Sequence, residues 1–357
     1  MDSRQRILTA FAHKQPDRCP NFIWINDDTM EDLVNHLGVS SAEEAKRKLG
    51  VDRWADVGVS VSFPREAEET IDSLVPEKYK GDERFQVMDS GRVARLHEDV
   101  DYLEDTVFYP LGEIESKEEL DGYPFPKESW LVESDQLERV IENYKKEGFV
   151  VSGGVAQPFK SAWLLRGMQN VLMDYLRNPQ LISEIYDRIY SFATAKALRL
   201  VEKGVDMIKI VGDLGMQRGL MMNPDTWREF DKPRLKEMIG KWKEANPDLY
   251  VYMHTDGDVK AIISDLIEVG VDILNPIQPE CMDPVKVKKK YGDELVLHGA
   301  VSLQRTLPFG SPREVKDEVR YLIENCNVDG GFVVGPSNVL FKEIPLENIV
   351  ALYQAVY

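Results

Sequence analysis

Cysteine is scarce in this chain. Cys19, Cys281 and Cys326 are the only three among 357 residues, too few and too scattered for a disulfide framework or a CxxC metal site. A reducing cytoplasm is the expected setting. Positive charge is in deficit as well: 44 basic against 62 acidic residues leave a net charge of −18, spread along the sequence rather than held in a tail. A phosphate backbone or an anionic membrane surface would repel such a protein, so nucleic-acid and lipid partners are disfavoured. Long apolar runs are missing too, which argues against a membrane span, and Met1 leads into a polar helical segment (Ser3 to Lys14) rather than a signal peptide. There is no internal repeat and no low-complexity segment. With 43% hydrophobic content, residues 1–357 read as a single domain with one large core.

The last third of the chain alternates strand-like and helix-like segments. The strand candidates run Met207 to Asp213, Leu249 to Asp258, Val271 to Gln278, Glu294 to Ala300 and Gly331 to Asn338. Continuous Val/Ile/Leu runs of this kind indicate a parallel sheet buried on both faces. Between them the helix starts are well marked. Asn223-Pro224 and Asp283-Pro284 open helices, Asp258 opens one that stops at Gly270, and Ser311-Pro312 with Glu314 forms a capping box. Asn178-Pro179 starts a long helix that ends near Gly204. The pattern predicts a (β/α)8 TIM barrel, whose active site sits at the C-terminal rim. Pro20 to Asn26 reads as the first strand and Phe149 to Ala156 as a later one, while residues 64–130 read as an insertion near the barrel mouth, with a hairpin turn at Asp89-Ser90-Gly91.

The strands end in polar residues, and each admits two readings. Asp213 is a site carboxylate or a helix cap, with Gln217 and Arg218 in the same short loop. His254 and Asp256 are two apart, which places both side chains on one side and suits a metal-binding or an acid/base pair. His298 occupies a comparable position, although the Gly299-Ala300 that follows also fits close backbone packing. Asn275 and Gln278 either orient a polar substrate or satisfy buried backbone groups. Gly330-Gly331 and Gly335 suggest a phosphate cradle at the last loops, against which the acidic balance argues.

Several longer segments carry a resemblance: Gly204 to Ile239, His254 to Val259, Leu274 to Glu280, His298 to Val319 and Gly330 to Ala355, with Arg6 to Pro20 and Pro158 to Pro179 upstream. Together they resemble the uroporphyrinogen decarboxylase family, which implies a (β/α)8 barrel with its site at the C-terminal mouth. True decarboxylases of that family carry an arginine-rich segment after the first strand to hold substrate carboxylates. Here Asp27, Asp28 and Glu31 stand in that stretch, and an octacarboxylate would be repelled. The family's catalytic aspartate motif has only a loose echo in Asp52 and Asp56.

The sequence resembles more closely the family's corrinoid-linked methyltransferase branch, whose zinc is held by a His-x-Cys pair and a later cysteine. His254 matches the histidine, but Asp256 and Asn338 replace the cysteines, a harder and weaker zinc set. The resemblance therefore implies methyl transfer from a small donor, such as a methoxylated aromatic, to the cobalt of a corrinoid (cobalamin) on a partner protein. His254, Asp256 and Asp213 are the expected catalytic residues, with His254 and Asp256 as the metal ligands. Trp24, Asn26, Gln217, Asn275, Gln278, His298 and Asn338 are the expected substrate contacts. A homodimer is compatible with the sequence. Two other readings stay open: a decarboxylase acting on a smaller substrate, and a non-catalytic corrinoid or tetrapyrrole carrier.

Overall fold

In the computed structural model, residues 1–96 and 104–357 are described. Seven parallel strands pair in chain order: β1 (Trp54–Asp56), β2 (Val150–Ala156), β3 (Met207–Val211), β4 (Tyr250–His254), β5 (Ile273–Asn275), β6 (Val296–Val301) and β7 (Phe332–Pro336). Helices cover the outside of this curled sheet, which is the expected barrel architecture. Side chains alternate between the two faces of each strand. One set packs outward under the helices, as Ile208, Ile210, Val251, Met253, Leu297 and Val334 do. The other set points inward, where Val150, Met207, Tyr252, Ile273 and Val296 meet Ile7 and Phe11 of the helix Ser3–Phe11. That helix plugs the N-terminal end of the barrel.

The helix starts follow their capping chemistry. Asn178, Asn223, Asp283 and Ser311 each accept a backbone N–H from the first turn they open, and Ser311 and Glu314 complete their capping box. The segment after Asp258 is less regular than its sequence suggested. Asp258 accepts the Lys260 N–H, and a short 3-10 turn (Lys260–Ile262) precedes the helix Ile263–Glu268.

Two strand expectations change. Pro20 to Asn26 holds the eighth barrel position but pairs only through isolated bridges to the β7 side, Asn21 to Val334 and Ile25 to Leu340. Its close approach needs Gly335, where an added Cβ would lie 2.8 Å from the Phe22 carbonyl oxygen. β1 was not anticipated, because VDRWADV has no apolar run. Gly330 and Gly331 also move. They precede β7 at the N-terminal end of the barrel, packed on Lys14 and His13, so they cannot cradle a phosphate at the mouth.

The insertion begins and ends at one place, since Ser60–Val61 pairs antiparallel with Leu131–Val132. Within it, Phe85–Val87 and Val93–Leu96 form the expected hairpin, with Gly91 at φ 81° in the turn, and Glu104–Phe108 adds a third strand. The insertion also includes residues 97–103, which lie outside the described residues. No described helix is long and apolar enough to cross a membrane.

No ladder joins the segment 20–26 to β1. Asp52 closes the gap instead. Its fully buried carboxylate takes Arg6 Nη1 at 2.6 Å, Arg18 Nη1 at 2.9 Å and the Asn21 N–H at 3.0 Å. In return the Asn21 side chain accepts the Asp52 N–H, and Trp54 Nε1 donates to the Asn21 carbonyl. Removing one partner from a buried charge cluster typically costs about 3–5 kcal/mol. Asp52→Ala is expected to lose about that much in denaturant unfolding, whereas a loss below ~1 kcal/mol would mean that the clasp does not hold the seam.

Candidate active site

Three side chains from two neighbouring loops converge at the C-terminal mouth. Asp213 follows β3, His254 ends β4 and Asp256 follows it, and one ligand atom from each lies within 4.8 Å of the others. The loops are tied together by their own polar groups. Asp213 Oδ1 accepts the Asp256 N–H at 3.0 Å, so this aspartate joins two loops rather than capping a helix. Asn338, just past β7, donates Nδ2 to Asp256 Oδ2 at 2.6 Å, and its Oδ1 accepts the Val339 N–H. Asn338 thus supports Asp256 through its amide nitrogen, while its oxygen is turned to the backbone. Gln278 accepts the Gly257 N–H and fixes the same loop from below.

His254 is oriented from inside the barrel. Its Nδ1 lies 2.7 Å from Asn275 Oδ1, and Asn275 Nδ2 lies 2.5 Å from His298 Nδ1 and 3.4 Å from the His298 carbonyl oxygen. The carbonyl can only accept, which fixes the amide with Nδ2 toward His298. His298 therefore accepts at Nδ1, and His254 donates its Nδ1–H to Asn275. The His254 Nε2 is left with a lone pair available to a metal or a proton. Burial, with the Lys209 and His254 charges adding to it, drives the pKa of His298 down to about 3, which keeps it neutral and in the accepting role.

His298 does not reach the rim, contrary to the sequence expectation. It lies within β6, 1% exposed, enclosed by Phe22, Trp54 and Tyr252. Asn26 caps the helix Asp27–Leu37 by accepting the Thr29 N–H, so its side chain serves the backbone. Trp24 does stand at the site, its ring edge-to-face with His254 at 5.2 Å. Gln217 is exposed in the loop after β3 and accepts the Cys281 thiol. Burial raises the pKa of that thiol above its ordinary value, which is unfavourable for a thiolate.

A cavity of about 590 Å³ runs along the seam between the segment 20–26 and β1, with Trp24, Trp54, Asp56, Lys209, Tyr252 and His254 on its wall. His254 is the one described member of the carboxylate–histidine cluster that borders it. Lys209 Nζ meets Asp56 Oδ1 at 2.5 Å, as does the Ser152 hydroxyl of the intervening strand. Lys209, Trp54 and Tyr252 were not identified from the sequence as site residues, and Asp56 only as a loose echo of the family's catalytic aspartate motif. The lysine inside the apolar run MIKIVGD, at an inward position two before Val211, was the available signal.

A family model described as "Uroporphyrinogen decarboxylase (URO-D)" matches residues 111–357. The chain belongs to the uroporphyrinogen decarboxylase family. No curated protein sequence matches the chain. Among solved structures, a methyltransferase from Methanosarcina mazei aligns with 100% of this chain and 98% of its own, at 20% identity and a TM-score of 0.68. That likeness shows the same fold. An alpha-amylase from Geobacillus thermoleovorans also matches, at 12% identity and a TM-score of 0.36 over 62% of this chain and 59% of its own.

In this URO-D barrel, burial raises the pKa of Asp256 to about 6, with the Asp213 carboxylate pushing the same way against the opposing pull of His254, Asn338 and Lys160. An acid whose native pKa lies above its unfolded value favours folding while protonated. Its contribution is thus full below about pH 4 and lost as pH rises to about 6, and a tenfold difference in proton affinity between the folded and unfolded chains is worth about 1.4 kcal/mol. In EDTA, Asp256→Asn is expected to lose about 1–3 kcal/mol less than the parent protein between about pH 4 and 7 in denaturant unfolding. Identical pH slopes would show that Asp256 is not held protonated.

Proposed function

We propose that this protein is a methyltransferase, taking a methyl group from a small methoxylated aromatic and passing it to the cobalt of a corrinoid held by a separate protein. The observation that carries this reading is the combination at His254, where a neutral-His298-to-Asn275 relay leaves Nε2 free, on the wall of a cavity lined by the rings of Phe22, Trp24, Trp54 and Tyr252. Aromatic walls suit a flat ring, because offset and edge-on ring pairs add attraction beyond buried area. Family membership agrees with the reading. The resemblance to the corrinoid-linked branch, drawn from the sequence, supplies the acceptor.

In the transfer, the cob(I) acceptor would supply the electron pair for the new cobalt–carbon bond, rising to cob(III), as the methyl–oxygen bond breaks and its own electron pair stays on the oxygen. The oxygen then needs a proton. His254 in its charged form can donate one from Nε2, with Asn275 holding the other nitrogen fixed. Asp256, protonated below about pH 6 and tied by Asn338, is the nearby store of a second proton. Trp24 shields the His254 ring from water on one side.

With the His254 Nε2 and Asp256 protons absent, the same donor set of His254, Asp213 and Asp256 fits a divalent cation instead, with one imidazole nitrogen and two carboxylates brought together and no thiolate among them. Such an ion, when bound, supplies Lewis-acid polarisation of the ether oxygen. The set does not fit thiol activation, because Asp256 and Asn338 stand where that branch has thiolate ligands, which leaves a harder and weaker zinc site.

His254→Ala is expected to lower kcat by about a hundredfold or more while the donor's binding constant changes little, the scale of one lost acid/base group. The rate of methylcobalamin formation from cob(I)alamin and a panel of methoxylated aromatics measures it. Full activity in the variant would remove His254 from the chemistry.

A further inference from the structure

A second cavity, about 620 Å³, lies between the hairpin of the insertion and the long helix Pro179–Glu202. Its wall is largely apolar, built from residues such as Phe63, Met88, Leu164, Ile189 and Phe192. Set into that wall is Lys196, half-buried and without a hydrogen-bond or ion-pair partner among the described residues. Other cations of the same helix and its end are paired: Arg188 with Asp121, Arg199 with Glu128 and Lys203 with Glu133. Arg92, also on the cavity wall, is engaged by Thr106. The one carboxylate on the described wall, Asp89, is exposed at the hairpin turn and makes no ion pair with Lys196.

Among the described residues no carboxylate pairs with the half-buried Lys196 ammonium. Moving a charge partly out of water is unfavourable unless an opposite charge compensates it. A volume of this size falls within the usual range for small-molecule sites, in which a few polar groups orient a mostly apolar ligand.

We propose that this crevice is a binding site for a small amphipathic carboxylate, with the apolar body against Phe63, Met88 and Phe192 and the carboxylate paired to Lys196. Burial also lowers the pKa of Lys196, as expected for an ammonium awaiting a partner. The site is separate from the barrel cavity and does not depend on the methyltransferase reading.

Calorimetric titration of the full chain with octanoate and with octanamide tests it. Saturable octanoate binding at least tenfold tighter than that of the amide is expected, because a desolvated charge pair is lost in the neutral ligand. Lys196→Met should weaken octanoate at least tenfold and leave octanamide unchanged, while Lys196→Arg should retain most of the octanoate affinity, which separates lost charge from lost fold. Absence of saturable octanoate binding, equal affinity in Lys196→Met, or loss of octanoate binding in His254→Ala, which would put the ligand in the barrel, would each overturn the proposal.

Discussion

The barrel depends on a carboxylate at the place where its backbone pairing fails. Seven strands share a continuous ladder, but the eighth position is a bridged segment that never pairs with β1. Asp52 holds that segment by gathering Arg6, Arg18 and the Asn21 backbone around one buried side chain. A strand ladder would have sealed the wall with main-chain groups. A side-chain clasp leaves room beside it, and the cavity bordered by Trp24, Trp54 and His254 lies along that seam. The segment Pro20 to Asn26 also carries Trp24 to the edge of His254, so the clasp at one end of the barrel positions a ring at the other.

The second organising feature is a polar relay through the barrel interior. His298 is kept neutral by burial, so it can accept from Asn275, and Asn275 can then receive the His254 Nδ1–H. Each group in the relay decides the state of the next. A cationic His298 would have to donate at Nδ1, and the Asn275 amide would lose its fixed orientation. The loops after β3, β4 and β7 complete the arrangement by hydrogen bonds that link Asp213, Asp256 and Asn338. The result is a histidine with one nitrogen committed and one free, beside a carboxyl that holds its proton into the mildly acidic range.

Much of this was legible in the sequence where local rules and tertiary structure agree. The runs around Ile208, Val251, Leu274, Leu297 and Val333 are apolar because their strands are buried on both faces, and the Asn-Pro, Asp-Pro and Ser-Pro starts are local cap chemistry. His254, Asp256 and Asp213 were likewise readable, because polar residues at the ends of such strands must face the rim. β1 was not legible, since Trp54, Ala55 and Asp56 are held by neighbours on one side and by the Asp52 clasp next to them, not by an apolar pattern. His298 was misplaced for a similar reason: a histidine in an apolar strand looks like a strand end until Phe22, Trp54 and Tyr252 enclose it. Asn26 and Asp52 show that a polar residue in a family motif can serve the backbone or the seam and not the substrate. Lys209 and Asp56 find each other only through the curvature of the sheet.

The acidic residues Asp27 and Asp28 lie in the first turn of the helix after Trp24, where they favour the helix N-terminus and repel a polyanionic substrate. A small aromatic ether, the donor proposed above, would bring far less negative charge to these side chains than a porphyrinogen bearing many carboxylates. The most direct test of this account follows the methyl carbon itself. A methoxylated benzoate carrying ¹³C in its O-methyl group, incubated with the protein and cob(I)alamin, is predicted to yield ¹³C-methylcobalamin and the free phenol, observed by NMR. Label that stays on the ether oxygen while carbon dioxide is released from the ring carboxylate would contradict the account and assign the site to decarboxylation.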